Sequence, residues 1–355
     1  MFIPKKIDSK LIPFSSFCRD DKRCHQPSQV LSTLYGTFVI TEPVLLDLLS
    51  SHSVQRLKKI NQYGADFFIG TKKCFTRHDH SIGVFCLLRK INASLHEQIA
   101  GLLHDVSHTV FSHTGEIVYD HHSLTGSYQD DIHEWFLQQT EIPAILKNHG
   151  ISIKDILHKK PGFNALEQDL PNLCADRLDY NMFGAVIDLL LKPEDISAIF
   201  ADLHFADGRW FFIHSELAKK LALIPLHLTE VHFGSAYDLL INRYMGELLK
   251  YALLIGLLSD HDIHFSCDED VWNILLNSTD PTIQHLMDRL KNTDKVMLGD
   301  ENHYDVWLPS KSRGIDPWIL QNNSYVRLSE LDSEFKEEFL RVKALLERGW
   351  YVVLS

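Results

Sequence analysis

The sequence predicts a mainly α-helical fold with short β-hairpins and a smaller C-terminal region of helix and strand. Apolar residues recur at three- and four-residue spacing along most of the chain, which is the period of one buried helix face. Two short segments alternate around turn residues instead, and strand-like residues lie near the end of the sequence. With 355 residues, 45% of them hydrophobic, the chain is long enough for a main domain with a smaller appendage.

The first half of the chain is expected to form a hairpin followed by helices. Val30 to Thr41 alternates around Tyr35-Gly36-Thr37, which predicts a short hairpin. A helical pattern then begins at Pro43 and ends near Gly64. Further helices are expected close to His80, before and into His104-Asp105, around Ile132 to Phe136, and from Leu173 to Leu191.

The second half combines another hairpin with long helices. Asp207-Gly208 marks the turn of a hairpin over Leu203 to Phe212, and one long apolar helix or a helix pair follows from about Ser215 to Leu258. The polar stretch from Ser259 to Asp270 is the expected boundary, and the chain ends in a helix and a strand-like segment. We therefore predict an N-terminal extension over 1–27, a catalytic core over 28–258 and a smaller α/β region over 259–355.

Composition limits the environment and the partners of the protein. The net charge of −12 argues against a nucleic-acid or anionic-membrane surface, because both use an excess of Lys and Arg. No apolar run approaches the about 18 residues that span a bilayer, and the polar, proline-containing start of the sequence does not resemble a signal peptide. The six cysteines form no CxxC pair and are expected to be buried, reduced thiols. These features predict a soluble, cytoplasmic protein.

Histidine and aspartate residues in four short segments predict a metal centre. His80 follows Arg77, His104 and Asp105 form a doublet, and Asp176 lies further along the chain. Two imidazole nitrogens and two carboxylate oxygens suit one divalent ion such as Mn, Fe, Zn or Mg, and leave positions for water and a phosphate oxygen. Neighbouring histidines can move protons at neutral pH. This combination is what phosphate-ester hydrolysis requires.

The order His80, His104-Asp105, Asp176 resembles the H...HD...D signature of the HD-domain metal-dependent phosphohydrolases. The resemblance implies an HD-domain helical core. The sequence around the signature is similar to the dNTP triphosphohydrolase branch, which includes the sterile-alpha-motif/HD enzymes. The similar segments are 55–64, 77–83, 103–113 and 176–180, and more loosely 311–317.

This resemblance implies roles for the residues around the metal. His113 is expected to be the general acid that protonates the departing O5′ while water attacks the α-phosphorus, with Glu116 orienting its imidazole. His108 is expected to contact a phosphate, and His133 matches a further active-site histidine. The expected contacts with the phosphates, sugar and base of the substrate come from Arg77, Arg177, Tyr180, Gln62 and Tyr63. A second Mg bound with the substrate and a homo-oligomer, dimer or tetramer, are also implied.

Some positions depart from the pattern of that branch and keep alternatives open. Gly184 stands where the branch has an acid that holds the sugar 3′-hydroxyl, and Asp238 lies where basic contacts are expected. Ser50 stands where nucleotide-activated members have an acid that reads guanine. A nucleotide phosphomonoesterase and a non-catalytic, metal-bound nucleotide sensor are therefore the alternatives. The motifs of HD-GYP phosphodiesterases, serine hydrolases, P-loop NTPases and HExxH peptidases are absent from the sequence.

Overall fold

A computed structural model describes residues 28–70, 74–120, 127–293 and 297–354. The predicted N-terminal extension, with Cys18 and Cys24, lies outside the described residues. Within them, no helix is long and apolar enough to cross a bilayer. Cys86, Cys174 and Cys267 are buried free thiols as expected, whereas Cys74 is exposed, contrary to the expectation.

The described part of the chain is dominated by α-helices, which confirms the predicted fold class. The first helices are α1 (Pro43–Ser50), α2 (His52–Arg56), α3 (Arg77–Lys90), α4 (Leu95–Leu103), α5 (Thr114–Val118), α6 (Tyr128–Asp131), α7 (His133–Gln138), α8 (Ile142–Asn148) and α9 (Ala175–Ile187). The later helices are α10 (Pro193–Asp202), α11 (Ser215–Leu228), α12 (Ala236–Leu254), α13 (Asp260–Phe265), α14 (Asp268–Leu276), α15 (Pro281–Lys291), α16 (Leu328–Leu331) and α17 (Ser333–Arg348).

Short strands form three small sheets in the described residues. The strands are β1 (Gln29–Thr33), β2 (Gly36–Ile40), β3 (Leu203–Ala206), β4 (Arg209–Phe212), β5 (Met297–Leu298), β6 (Val306–Leu308), β7 (Trp318–Gln321), β8 (Ser324–Arg327) and β9 (Trp350–Val353). Strands β1 and β2 pair alone, while the orders of the other sheets are β3-β4-β7-β8 and β5-β9-β6. Both predicted hairpins are present. The second turns at Asp207-Gly208 as predicted, whereas the first turns at Leu34 and Tyr35, slightly before its predicted centre, because Gly36 and Thr37 already belong to β2.

The helical pattern that begins at Pro43 is not one continuous helix. Helix α1 ends at Ser50, and Ser51 caps the next helix by accepting a hydrogen bond from the backbone N–H of Val54. Serine favours such a cap over the helix interior because its hydroxyl competes for backbone hydrogen bonds. The apolar spacing persists across the break, since α1 and α2 bury their apolar faces against the same core.

The segment from Ser215 to Leu258 folds as the predicted helix pair. Helices α11 and α12 are joined by a π-helical turn over Thr229–Phe233, and Ser235 caps α12. Strand β4 of the second hairpin pairs in parallel with the late strand β7. One hydrophobic cluster runs from Leu31 to Val352. The division of the chain at residue 258 stays a prediction.

Candidate metal centre

The ends of three helices carry the four predicted metal ligands to one place. His80 lies in the first turn of α3, which begins with a capping box between Thr76 and Asp79. His104 ends α4, Asp105 follows it directly, and Asp176 lies in the first turn of α9. Helix α3 packs against both α4 and α9, so residues far apart in the sequence meet.

The ligand atoms of these residues face one another over short distances. The Nε2 atoms of His80 and His104 lie 3.2 Å apart. Asp176 Oδ1 is 2.9 Å from His80 Nε2 and 3.7 Å from His104 Nε2. Asp105 completes the cluster, with Oδ1 3.5 Å from His104 Nε2 and Oδ2 3.8 Å from His80 Nε2. Side chains of His80, His104 and Asp105 are buried, while that of Asp176 is 26% exposed.

Hydrogen bonds outside the cluster orient both imidazole rings. His80 Nδ1 lies 2.7 Å from Asp179 Oδ2, and His104 Nδ1 lies 2.7 Å from the carbonyl oxygen of Gly101. Because an acceptor faces each Nδ1, each ring carries its proton there and turns the lone pair of Nε2 inward. Two lone pairs and two carboxylates then face one another, an arrangement that is favourable only with a cation among them. The residues present therefore fit a divalent metal ion.

Asp179 was not predicted from the sequence, although it is the main support of His80. Its carboxylate also accepts a hydrogen bond of 2.7 Å from the hydroxyl of Tyr35. Gly83 makes room for it, because a Cβ atom at that position would lie 1.8 Å from Asp179 Oδ1. The sequence did contain a signal for Asp179: it lies three residues after Asp176, a spacing that puts both carboxylates on one face of α9.

The charges of the site reinforce this conclusion. Burial lowers the pKa of His80, but hydrogen bonds to Asp176 and Asp179 outweigh it and raise that pKa to about 10. Burial raises the pKa of Asp105, yet the charge of Arg77, followed by His104 and His108, holds it well below its usual range. With no metal ion at the centre, His80 would hold a proton on Nε2, and a metal ion would take the place of that proton. The buried anionic cluster thus favours positive charge at its centre.

Arg77 holds Asp105 directly. Its guanidinium donates to Asp105 Oδ2 at 2.8 Å and to Ser112 Oγ at 3.0 Å, and the side chain is buried. A third contact, of 3.3 Å, joins its Nη2 to His113 Nε2. Arg77, which was predicted to contact a phosphate, therefore connects the metal cluster with His113, the predicted general acid.

The loop after the doublet places His108 and His113 beside the cluster. Phe111 and Ser112 have φ of 56° and 57°, a left-handed pair that turns the chain back before α5. His108 Nε2 lies 3.2 Å from Asp105 Oδ1, and its buried Nδ1 forms no hydrogen bond within the described residues. Burial and then the charge of Arg77 lower the pKa of His108 to about 4. A neutral ring that donates to Asp105 leaves Nδ1 as an acceptor.

His113 and Glu116 form a more exposed pair at the edge of the site. His113 Nδ1 is 3.6 Å from Glu116 Oε1, and their side chains are 43% and 36% exposed. A narrow groove passes both residues and His108; it is lined by His108, Thr109, Ser112, His113, Gly115, Glu116, Tyr128 and Gln129. The predicted acid and its carboxylate thus lie together on the open side.

His133 is buried and belongs to a second histidine pair. Its Nδ1 lies 2.8 Å from Ser107 Oγ, and its Nε2 has no hydrogen-bond partner among the described residues. The ring of His158 packs edge to face on it, with centroids 4.6 Å apart, and His158 Nε2 lies 3.1 Å from Asp130 Oδ1. His158 and Asp130 were missed in the sequence because no motif includes them.

Tyr180 and Tyr63, two of the predicted substrate contacts, lie among aromatic rings, and Tyr180 is next to the metal cluster. Tyr180 is 6.4 Å from the ring of His80 and 6.0 Å from that of Phe233, measured between centroids. Tyr63 stacks on Phe233 at 6.1 Å, and Phe75 stacks on Phe183 at 4.3 Å. We call Tyr63, Phe75, Tyr180, Phe183 and Phe233 the aromatic cluster. Phe75, Phe183 and Phe233 carried no sequence signal for this role.

Gln62 and Arg177, two further predicted substrate contacts, bind other groups of the protein. Gln62 donates its backbone N–H to the carbonyl oxygen of Phe75, and its buried Oε1 forms no hydrogen bond within the described chain. Arg177 donates to the carbonyl oxygen of Asn172 at 3.0 Å and pairs with Glu167 at 3.4 Å. The guanidinium of Arg177 is therefore turned toward protein acceptors.

Comparisons with known proteins agree with this geometry. The HD domain family matches residues 77–181, which include every predicted metal ligand. The metal-dependent phosphohydrolase cns2 of Cordyceps militaris is 33% identical over 306 residues, covering 80% of this chain and 82% of that protein. The uncharacterized protein YdhJ of Bacillus subtilis is 30% identical over 331 residues, and the match covers 91% of this chain and 98% of YdhJ.

Other similarities are more distant. A phosphohydrolase structure from Bacteroides thetaiotaomicron superposes with a TM-score of 0.68 at 16% identity, covering 92% of this chain and 100% of that one, which shows a shared fold. The deoxynucleoside triphosphate triphosphohydrolase SAMHD1 of Danio rerio is 31% identical over 103 residues. That match covers 25% of this chain and 17% of SAMHD1, so the similarity to the triphosphohydrolases is partial.

Proposed function

The chain belongs to the HD-domain family of metal-dependent phosphohydrolases, and we propose that it hydrolyses nucleotides, with a deoxynucleoside triphosphate as the leading substrate. The observation that carries this proposal is that two kinds of side chain adjoin the donor cluster. Arg77 joins Asp105 to His113 of the proton-transferring pair, and Tyr180 of the aromatic cluster lies 6.4 Å from the ring of His80. A phosphate ester with an attached base and sugar matches that arrangement.

The metal ligands in this proposal are His80, His104, Asp105 and Asp176, whose donor atoms converge. If a divalent ion were held by these residues, it would supply Lewis-acid chemistry, which polarises a phosphoryl oxygen and lowers the pKa of water. Asp179 fixes the ring of His80, and Arg77 holds the carboxylate of Asp105. These contacts keep the ligand atoms in place before substrate arrives.

Proton transfer is assigned to the exposed pair. His113 donates a proton to the leaving oxygen of the ester, and Glu116 orients its Nδ1 and stabilises the charged ring. His108 holds the carboxylate of Asp105 through Nε2, and its contact with a phosphate stays a prediction. His133 supports this loop through Ser107.

Base and sugar are assigned to the aromatic cluster. Tyr180 lies between the ring of His80 and Phe233, and its partner Tyr63 stacks on the same phenylalanine. Aromatic faces bind any nucleobase by stacking, which contributes about 1–3 kcal/mol per base in single-stranded nucleic-acid sites. Tyr180 matches a tyrosine of the triphosphohydrolase branch that packs on the sugar, and this resemblance implies a preference for a deoxynucleotide.

A phosphomonoesterase is the second candidate, favoured by the surroundings of Gly184. A Cβ at that position would lie 2.6 Å from Leu228 Cδ1, so helix packing excludes an acidic side chain that could hold a 3′-hydroxyl. Asp238 is buried at the start of α12, so a carboxylate stands where a basic contact with the phosphates was expected. A substrate with fewer phosphates needs fewer cationic contacts.

Product analysis distinguishes these candidates and the sensor. Purified protein with Mn²⁺ is incubated with deoxynucleoside and ribonucleoside mono- and triphosphates, and products are separated by ion exchange and assigned by phosphorus NMR. Asp105→Ala, which removes a predicted ligand, is the control. Inorganic triphosphate from wild type alone supports the leading proposal, orthophosphate supports the phosphomonoesterase, and no product from any nucleotide rejects both.

A further inference from the structure

We propose that Lys311 and Arg313 form a binding site for the distal phosphates of a nucleoside polyphosphate, an inference that rests on the proposed nucleotide hydrolase function. Both belong to the stretch 310–316 between β6 and β7, which we call the rim segment. A triphosphate needs cations whose donors are free, and the donors of the two predicted phosphate contacts already have protein partners. Arg77 is buried against Asp105, and Arg177 faces Asn172 and Glu167.

The rim segment is fixed at one end beside the aromatic cluster. Ser310 Oγ donates to the carbonyl oxygen of Gly234 at 3.0 Å. Gly234 directly follows Phe233, which stacks on Tyr63 and meets Tyr180 edge to face. The rim segment therefore begins next to the rings assigned to base and sugar.

Its other end is fixed close to the start of α9, the helix that carries Asp176. Asp316 donates its backbone N–H to the carbonyl oxygen of Pro171 at 2.9 Å. Gly314 packs so tightly that a Cβ there would lie 2.9 Å from Leu226 Cδ2, and Ile315 is 1% exposed. Held at both ends, the rim segment cannot move far from the site.

Two cations extend from this fixed backbone. Lys311 and Arg313 are exposed, and neither forms a hydrogen bond or an ion pair within the described residues. They differ in this from Arg77 and Arg177, whose donors already have partners. Free guanidinium and ammonium groups on an anchored backbone are suited to a multiply charged phosphate chain.

Electrostatics places both cations at the active site. Burial raises the pKa of Glu116, but His113 and then the charges of Arg313 and Lys311 lower it overall. Burial raises the pKa of Tyr180 to about 12, against an opposing influence of Arg313 and Arg177. Arg313 is therefore close to both the proton-transferring pair and the aromatic cluster, in agreement with the anchoring of the rim segment beside Phe233.

The chemistry of the whole chain makes such a local site necessary. With a net charge of −12, the protein repels a triphosphate at long range. A pair of unpaired cations beside Glu116 offsets that repulsion where the phosphates arrive. A monophosphate held at the metal would not extend to them, so the two residues select for substrate length.

The test compares binding and turnover in the metal-loaded protein. Inorganic tripolyphosphate is titrated calorimetrically into wild type and into the double variant Lys311→Ala/Arg313→Ala. The control is Lys147→Ala/Lys154→Ala, which removes two exposed lysines that have no ion pair within the described residues and are not among the main charges that act on Glu116 and Tyr180. KM and kcat are then measured for one deoxynucleotide as its mono- and triphosphate.

We expect the rim variant to bind tripolyphosphate at least about tenfold more weakly than wild type, since two charge-assisted contacts are lost. Its KM for the triphosphate should rise by a similar factor, while its KM for the monophosphate should stay within about twofold of the wild-type value. Its melting temperature should stay within about two degrees of that of wild type. A charge reversal, Lys311→Glu/Arg313→Glu, should weaken tripolyphosphate binding further.

Unchanged tripolyphosphate affinity in both rim variants, or an equal loss in the control variant, would overturn the inference. Wild-type protein that binds no tripolyphosphate would also overturn it. The binding titration needs no turnover, so it separates this result from failure of the proposed function. Loss of tripolyphosphate binding in a protein that hydrolyses no nucleotide would reject the hydrolase and keep the phosphate site.

Discussion

The substitution Gly83→Ala tests whether Asp179 controls the metal centre through His80. The new Cβ would lie 1.8 Å from Asp179 Oδ1 and 2.5 Å from its Cγ, whereas real Cβ contacts are no shorter than 3.0 Å. The carboxylate must therefore move by about 1.2 Å, and it cannot rotate freely because Tyr35 and His80 both bind it at 2.7 Å. The ring of His80 loses its support.

We expect Gly83→Ala to weaken metal binding by about 10- to 100-fold, the usual effect of losing a partner of a metal-bound histidine. This corresponds to about 1.4–2.8 kcal/mol of binding free energy. Overpacking at the buried site should also lower the free energy of unfolding by about 1–3 kcal/mol. Mn²⁺ affinity is measured by calorimetry or by competition with a chelator, and stability by thermal unfolding without metal.

The matched control is Gly246→Ala, whose Cβ would lie 2.4 Å from Ile117 Cγ2 and would contact no metal ligand. It should lose stability by a similar amount and keep its Mn²⁺ affinity. If Gly83→Ala binds Mn²⁺ as tightly as wild type, the support of His80 by Asp179 does not govern the site. Equal losses of affinity in both variants would mean that general destabilisation explains the effect.

Three further predictions concern the acid, the aromatic cluster and a buried carboxyl group. His113→Ala should keep the metal and reduce kcat by about a hundredfold or more, and full activity would remove the acid assignment. Phe233→Ala should raise the nucleotide KM by about tenfold and leave the KM of a small alkyl phosphate, which has no ring to stack, unchanged; equal increases would reject base stacking there. Burial raises the pKa of Asp268 from its ordinary value of 3.8 to about 7, against hydrogen bonds from the backbone N–H groups of Asn61 and Phe111, so the native state loses stability as the pH rises from about 4 to 7. The melting temperature of wild type should therefore fall relative to that of Asp268→Asn between about pH 4 and 7, and a constant difference would contradict the raised pKa.

The helices and hairpins of this protein were largely predictable because their signals are local. Apolar spacing gave α3, α4, α9 and the pair α11 and α12, and Asp207-Gly208 gave a hairpin turn. The break at Ser51 was missed, since a serine cap interrupts a helix without disturbing its apolar spacing. The parallel pairing of β4 with β7 was also missed, because it joins strands about a hundred residues apart.

The sequence by itself determined which atoms are available for chemistry: two imidazoles, two carboxylates and the histidines that follow them, in an order that identified the family. Only the tertiary structure decided how these groups are held and what surrounds them. Tyr35 reaches Asp179 across 144 positions, Arg77 turns to Asp105, and Ser310 holds the rim segment beside the aromatic cluster. The physical reason is that donor chemistry and helix periodicity belong to single residues and their near neighbours. Orientation, burial and charge at a site depend on which distant surfaces pack together.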